Sequence, residues 1–254
     1  MQARVRDDLP HAVRVVETEW ITLSDGTRLA ARLWLPESAE RVPAILEYLP
    51  YRLSDGTQAG DHQQMTWFAG HGYGCARVDI RGTGNSDGII EDEYSEQEQL
   101  DGLEVIAWLA AQPWCDGQVG MVGTSWSGFN GLQLAARTPP ALGAVISIYA
   151  SDDRYADDVH YRGGLVIPMD MAQWANCMLS WNALPPDPAI AGAGWRSQWR
   201  ERLERTPHFV EHWLAHQRRD SYWRHGSACE HYERIRCPVM AIGGWTDGYT
   251  DAVL

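Results

Sequence analysis

No stretch of this sequence is long and apolar enough to span a bilayer: runs such as PAILEYL at 43–49 fall far short of the roughly 20 residues a membrane helix needs. Positive charge is scarce. Against 34 Asp and Glu stand only 21 Lys and Arg, and the net charge of −13 repels phosphate backbones and anionic lipid, so neither nucleic acid nor a membrane is an expected partner. The opening MQARVRDDLPHAVRVVETEW lacks the apolar core of a secretory signal, which makes the cytoplasm the expected compartment. Cys75, Cys115, Cys177, Cys229 and Cys237 are odd in number and scattered, so they read as reduced thiols and not as a disulfide framework. Phenylalanine is rare, with three residues against thirteen tryptophans; the tryptophans read as core and cap packing, with a Trp-lined substrate pocket as the alternative. DIRGTG at 79–84 lacks both the G-x-G-x-x-G order and a P-loop lysine, and reads as a strand-end turn that brings Arg81 near a site.

What is present has the texture of an α/β protein. RVVETEWITL (14–23) and TRLAARLWL (27–35) alternate apolar and polar residues around the turn SDG, which predicts a β-hairpin. PAILEYL (43–49), CARVDI (75–80), QVGMVG (118–123) and GAVISI (143–148) are denser runs, suited to strands covered on both faces of a mostly parallel sheet. Apolar residues recur at helical spacing between 95 and 112, and SWSGFNGLQLAART reads as a second helix stopped by Pro139 and Pro140. Strands alternating with such helices imply a doubly wound sheet. From 152 to 235 the chain turns to acidic turns, Pro-rich stretches and short helices, before PVMAIGG (238–244) returns to strand character. We therefore expect a core of residues 1–151 and 236–254 with a helical cap, 152–235, inserted between its strands.

Ser125 in MVGTSWSGF stands where a buried strand meets a helix, with Gly123 two residues before it and Gly128 three after. Two readings fit: a nucleophile elbow, in which a strained turn lifts the hydroxyl above the sheet, or a serine capping the free N–H groups of a helix. The spacing is G-x-S-x-x-G, with Ser127 where the strict elbow has glycine.

EYLPYRL, DIRGTGNSDG, AAQPWCDGQVGMVGTSWSG and GGWTDGY occur together and in order, and through them the chain resembles the CocE/NonD hydrolases over nearly its whole length. That family has the α/β-hydrolase fold and includes esterases, acylases and Xaa-Pro dipeptidyl-peptidases. The resemblance implies a serine hydrolase that cleaves an ester or amide through an acyl-enzyme, with a small-molecule or short-peptide acyl substrate and no cofactor. It places Ser125 at the nucleophile, with Trp126 replacing the family's usual Tyr. The N–H of Trp126 and the hydroxyl of Tyr51 fall at the oxyanion donors, and Asp247 at the triad acid. Read locally, Tyr51 is also a buried ring near a strand end, and Asp247 beside Gly248 a turn former.

The family's histidine lies beyond Asp247, whereas all nine histidines here precede it and the sequence ends at Leu254. The expectation is thus an N-terminal portion of the fold, truncated before the last strand, and the alternative to a working hydrolase is an inactive fragment that at most binds ligand or partner. His160 or His225 swinging in from the cap is the substitute base to consider. HFVEH at 208–212 also fits the H-x-x-E-H zinc motif, with Glu211 as base between His208 and His212 and His216 extending the face; a solvated helix face is the plainer reading. SDDRYADD follows the 143–148 strand, where Asp152 and Asp153 either form a solvated turn or meet a substrate ammonium. A homo-oligomer is left open.

Overall fold

Alternation in the first two runs makes a hairpin: β1 (Val13–Thr22) pairs antiparallel with β2 (Arg28–Pro36), with a bulge between Val16 and Glu19. The computed structural model describes residues 8–38 and 40–249, so the outer ends of the expected core segments lie outside the described residues. β2 pairs antiparallel with β4 (Gly74–Asp79), and from there the sheet is parallel through β3 (Val42–Leu49), β5 (Cys115–Thr124), β6 (Leu142–Ile148) and β9 (Val239–Ile242). The strand order is β1-β2-β4-β3-β5-β6-β9.

Because successive strand side chains face opposite ways, the sheet builds two cores. Trp34 and Cys75 turn toward α1 (Gln58–Gly70), where they pack with Met65 and Ala69. Leu33, Ala76, Val78, Leu46 and Met121 turn to the other face, which α2 (Glu96–Ala110) and α3 (Trp126–Ala135) cover. Helices thus lie on both faces of a mostly parallel sheet, the doubly wound arrangement expected. The expected helix near 95–112 starts at a genuine cap, Ser95, whose side chain accepts the N–H of Glu98 at 3.2 Å.

Between β6 and β9 lie a two-stranded ribbon, β7 (Tyr161–Arg162) and β8 (Leu165–Val166), then α4 (Pro168–Asn182), α5 (Pro188–Ala191), α6 (Trp195–Arg205), α7 (Phe209–Ala215), α8 (Ser221–Arg224) and a 3-10 helix at Ala228–Arg234. Met171, Met178, Phe209, Trp213 and Trp223 join the same buried cluster as the sheet residues, so the insertion shares the core instead of owning one. Arg202 of α6 is fully buried. Its guanidinium donates to Gly84 O at 2.8 Å and Ser86 O at 2.7 Å on the turn after β4, and Arg52 donates to Pro185 O at 3.1 Å. These arginines use main-chain carbonyls to fasten the insertion to the loops at the carboxyl edge of the sheet.

Replacing Arg202 by Met keeps its apolar stem but strands buried carbonyls, each of which costs about 1–3 kcal/mol when unpaired. The expected result is a loss of about 3 kcal/mol in urea unfolding; a loss below about 1 kcal/mol would show that the fastening contributes little.

Candidate active site

β5 ends at Thr124 and α3 begins at Trp126, leaving Ser125 alone at the turn with φ 58° and ψ −122°. For a residue with a side chain this left-handed conformation costs on the order of 1–3 kcal/mol, and tight surroundings must impose it. Here they do. A Cβ on Gly123 would lie 2.2 Å from the Cβ of Ser127, and one on Gly128 would lie 2.9 Å from the Cβ of Ala150. Ser127, at the position where the strict elbow has glycine, is accommodated because it is buried and its hydroxyl accepts the Tyr48 N–H at 3.1 Å. The Ser125 N–H donates to Ile148 O at 2.9 Å, while its side chain makes no cap bond to α3. Helix capping is therefore not what this serine does; its Oγ lies 3.2 Å from the hydroxyl of Tyr51.

Tyr51 comes from the loop after β3. Its ring is held edge-on by Trp126, Trp174 and Trp181, with centroids 6.5, 6.0 and 5.3 Å away, so three tryptophans do gather around this site. Burial pushes its phenol well above the ordinary range, while the Ser125 hydroxyl and the Trp126 N–H pull the other way. The loop is fixed from below by Asp79 at the end of β4. Its carboxylate accepts Leu53 N–H at 2.9 Å and Asn85 N–H at 3.2 Å, and a Cβ on Gly84 would come within 1.8 Å of it. Arg81 is not near Ser125 as expected: it binds Asp101 of α2 at 2.7 Å and Asp25 of the hairpin turn at 2.9 Å, because those carboxylates compete for it on the outer side of the turn.

Trp126 is fully buried, and its indole N–H donates to Glu98 Oε1 at 2.6 Å, an oxygen that also accepts from Asn130 at 2.9 Å. Burial pushes Glu98 up to about 7. Asp247 sits in the turn after β9, on the edge that carries Ser125 two strands away, since Thr124, Ile148 and Ile242 are in register. Its N–H donates to Gly244 O and its carboxylate accepts the Tyr249 N–H, each at 2.9 Å, so it is both a turn former and an acid at that edge. Among the described residues, which include all nine histidines, none of these rings bonds to Ser125 Oγ or to Asp247. His225 contacts Tyr94 O at 2.9 Å, and His160 is enclosed elsewhere.

That enclosure went unread in the sequence. His160 Nε2 lies 3.1 Å from Glu93 and its Nδ1 3.5 Å from Asp158; Arg154 reaches the same Glu93 oxygen at 3.4 Å, and all four residues are buried. Burial opposes charge on the His160 ring, but Glu93 and Asp158 outweigh it and raise its pKa. Burial likewise works to raise Glu93, yet His160 and Arg154 hold it below the usual range, and Asp158 is pushed up to about 6, chiefly by burial. Trp174 donates to Glu93 at 3.3 Å and Tyr249 to Asp158 at 2.9 Å, so the cluster stands directly behind the tryptophan that holds Tyr51. The Glu93, Asp158 and His160 donor atoms lie within 4.8 Å of one another, but Arg154 on the shared oxygen makes this an ion-pair network that a dication would disrupt.

The remaining candidates lie apart. Asp153 is taken up by Arg219 at 2.9 Å and by the N–H groups of Tyr155 and Ala156, which makes it a turn-holding group; Asp152 beside it is half-buried, and its pKa is raised by burial. His208 precedes α7 in extended conformation, so the helical i, i+4 relation that H-x-x-E-H needs with His212 is lost. His212 instead faces Asp92 at 3.5 Å, Glu211 is exposed, and His216 pairs with Asp220 at 2.7 Å. Among the described residues these side chains form no group able to share a metal ion. All five cysteines are free thiols.

The family model described as X-Pro dipeptidyl-peptidase (S15 family) matches residues 25–254. Over 264 residues the chain is 28% identical to the cocaine esterase of a Rhodococcus species, covering 92% of this chain and 44% of that protein. Among solved structures, a CocE/NonD family hydrolase from Staphylococcus aureus superposes with a TM-score of 0.68 at 18% identity, over 88% of this chain and 39% of that one. An α-amino acid ester hydrolase gives 0.68 at 21% identity, over 99% and 47%. At such identities the structural likeness shows the fold, that of the α/β-hydrolases. The chain spans less than half the length of each of these relatives.

Glu98 supplies a test of the pocket behind the elbow. A carboxyl raised from 4.5 to about 7 in the folded state binds its proton more tightly than in the unfolded chain. Its stabilising contribution is therefore full below about pH 4.5 and lost as pH rises to about 7, a difference of roughly 3 kcal/mol. Gln at 98 retains an acceptor for Trp126 and Asn130 without the titration. Urea unfolding of the unmodified protein is expected to fall by roughly 3 kcal/mol more than that of Glu98→Gln over this pH window; parallel profiles would refute the assignment.

Proposed function

The chain belongs to the S15 family of X-Pro dipeptidyl-peptidases, and from that premise we propose that it carries the nucleophile and oxyanion site of a serine hydrolase acting on an ester or amide. One observation supports this above the others: Ser125 is held at φ 58°, alone between the end of β5 and the start of α3 at Trp126, with its Oγ 3.2 Å from the Tyr51 hydroxyl. In this reading Ser125 Oγ attacks the substrate carbonyl as its proton passes to an imidazole, and the Trp126 N–H and Tyr51 O–H donate to the oxyanion. Collapse of the tetrahedral intermediate expels the alcohol or amine, which takes up that proton and leaves an acyl-Ser125 ester for water to cleave. Asp247 would orient the imidazole. Asp153 has no part, being held by Arg219, and Asp152 stays the candidate for meeting a substrate ammonium. The names of the relatives, a cocaine esterase and an α-amino acid ester hydrolase, favour a small-molecule or short-peptide acyl substrate.

A second reading, a module that binds an acyl ligand without turning it over, is favoured by one observation: among the described residues no histidine bonds to Ser125 Oγ or Asp247. A fluorophosphonate probe followed by mass spectrometry separates the two. Under the hydrolase reading Ser125 is labelled, Ser125→Ala is not, and Tyr51→Phe is slower by about 10²–10³-fold, the usual cost of one oxyanion donor. Added imidazole, standing in for the general base, is expected to speed labelling by about 10²-fold. Folded protein that stays unlabelled with and without imidazole would leave the binding module.

A further inference from the structure

At the far end of α3 from Ser125, about 15 Å away along a ten-residue helix, a cavity of about 450 Å³ opens between Arg137, Arg224, His225, His231 and Arg234, with Gln133 in its wall. We propose that this cavity binds a compact polyanion, a ligand bearing a phosphate ester or several carboxylates. The proposal rests on charge and geometry and is independent of the hydrolase reading. In a chain of net charge −13, Arg137, Arg224 and Arg234 line one concavity, together with His231 and with His225, whose pKa burial and the nearby Arg154 lower. The acids that meet them are few. Glu96 pairs with Arg137 and lies 3.6 Å from His225; Glu233, itself largely exposed, stands 3.8 Å from Arg234 and 3.7 Å from His231. Arg224 makes no side-chain hydrogen bond or ion pair among the described residues, so an exposed guanidinium with all its donors unengaged stands in the cavity lining.

The wall is preorganised. Gln133 is buried, donating to Gly226 O at 2.9 Å and accepting from Gln99 at 3.3 Å. Gly226 has φ 78°, and a Cβ there would meet Arg154 at 2.9 Å, so the loop carrying Arg224 and His225 has little room to shift. The volume lies within the range of small-ligand sites, about 300–1,000 Å³. Guanidinium forks match phosphate and carboxylate oxygens in pairs, which favours a ligand with several such oxygens close together over a monovalent ion.

Calorimetric titration of the 254-residue protein with sodium pyrophosphate, and separately with sodium citrate, at an ionic strength held constant with NaCl, tests this. Saturable one-to-one binding of either supports the proposal, and the preference between them identifies phosphate or carboxylate as the ligand's anionic group. Arg224→Gln is expected to weaken binding about tenfold, and adding Arg234→Gln about tenfold again. Both side chains are exposed and hold no other part of the fold, so thermal melting in NaCl alone should be unchanged in the variants. Heats no greater than dilution for both anions, or equal affinity in the double variant, would overturn the proposal.

Discussion

Asp79 holds together the loops at the carboxyl edge of the sheet. Its buried carboxylate takes one main-chain N–H from the Tyr51 loop and another from the turn after β4, and Arg77 beside it, 3.5 Å away, offsets the cost of burying it. Burial raises its pKa even so, a sign that the surroundings only partly repay desolvation. Remove that carboxylate and two loops lose their common anchor: the one that aims Tyr51 at Ser125 and the one whose carbonyls receive Arg202. Gly84 is obligatory for the same reason, since any side chain there would occupy the carboxylate's place.

The interior is unusually ionic for a protein of ordinary size. The sequence has no lysine, so every permanent cation is a guanidinium, and Arg77, Arg154 and Arg202 are fully buried. Lysine offers a single point charge, whereas a planar guanidinium can meet several carbonyls and carboxylates at once. Arg154 shows this, donating to Tyr222 O, His225 O and Glu93 while lying over the rings of Tyr94, Tyr222 and Trp223. It joins the wall of the basic cavity to the ion network behind Trp174.

The strands and the elbow were legible because their signals are local: alternation in 14–35, unbroken apolar runs in the parallel strands, and a serine spaced between glycines. α1 was not, since QAGDHQQMTWFAG is mostly polar and buries only Asp61, Met65, Ala69 and Gly70, too sparse a stripe to announce a helix. The Glu93, Arg154, Asp158 and His160 network was illegible for another reason: Glu93 is some sixty residues from its partners, and only the folded chain brings them together. HFVEH shows the limit of spacing alone, and its exposed Glu211 and His212 agree with the plainer reading of a solvated face. As a metal motif its spacing presumes a helix that includes His208, and α7 starts one residue later, at Phe209.

The insertion between β6 and β9 shares one buried cluster with the sheet, and that sets how the molecule comes apart. A lid with its own core can swing or melt while the platform beneath it stands. Here Trp213, Trp223 and Phe129 belong to a single packed mass, so peeling the insertion away exposes the underside of the elbow as well. Heat is then expected to meet one cooperative transition in place of a separate melting of the insertion.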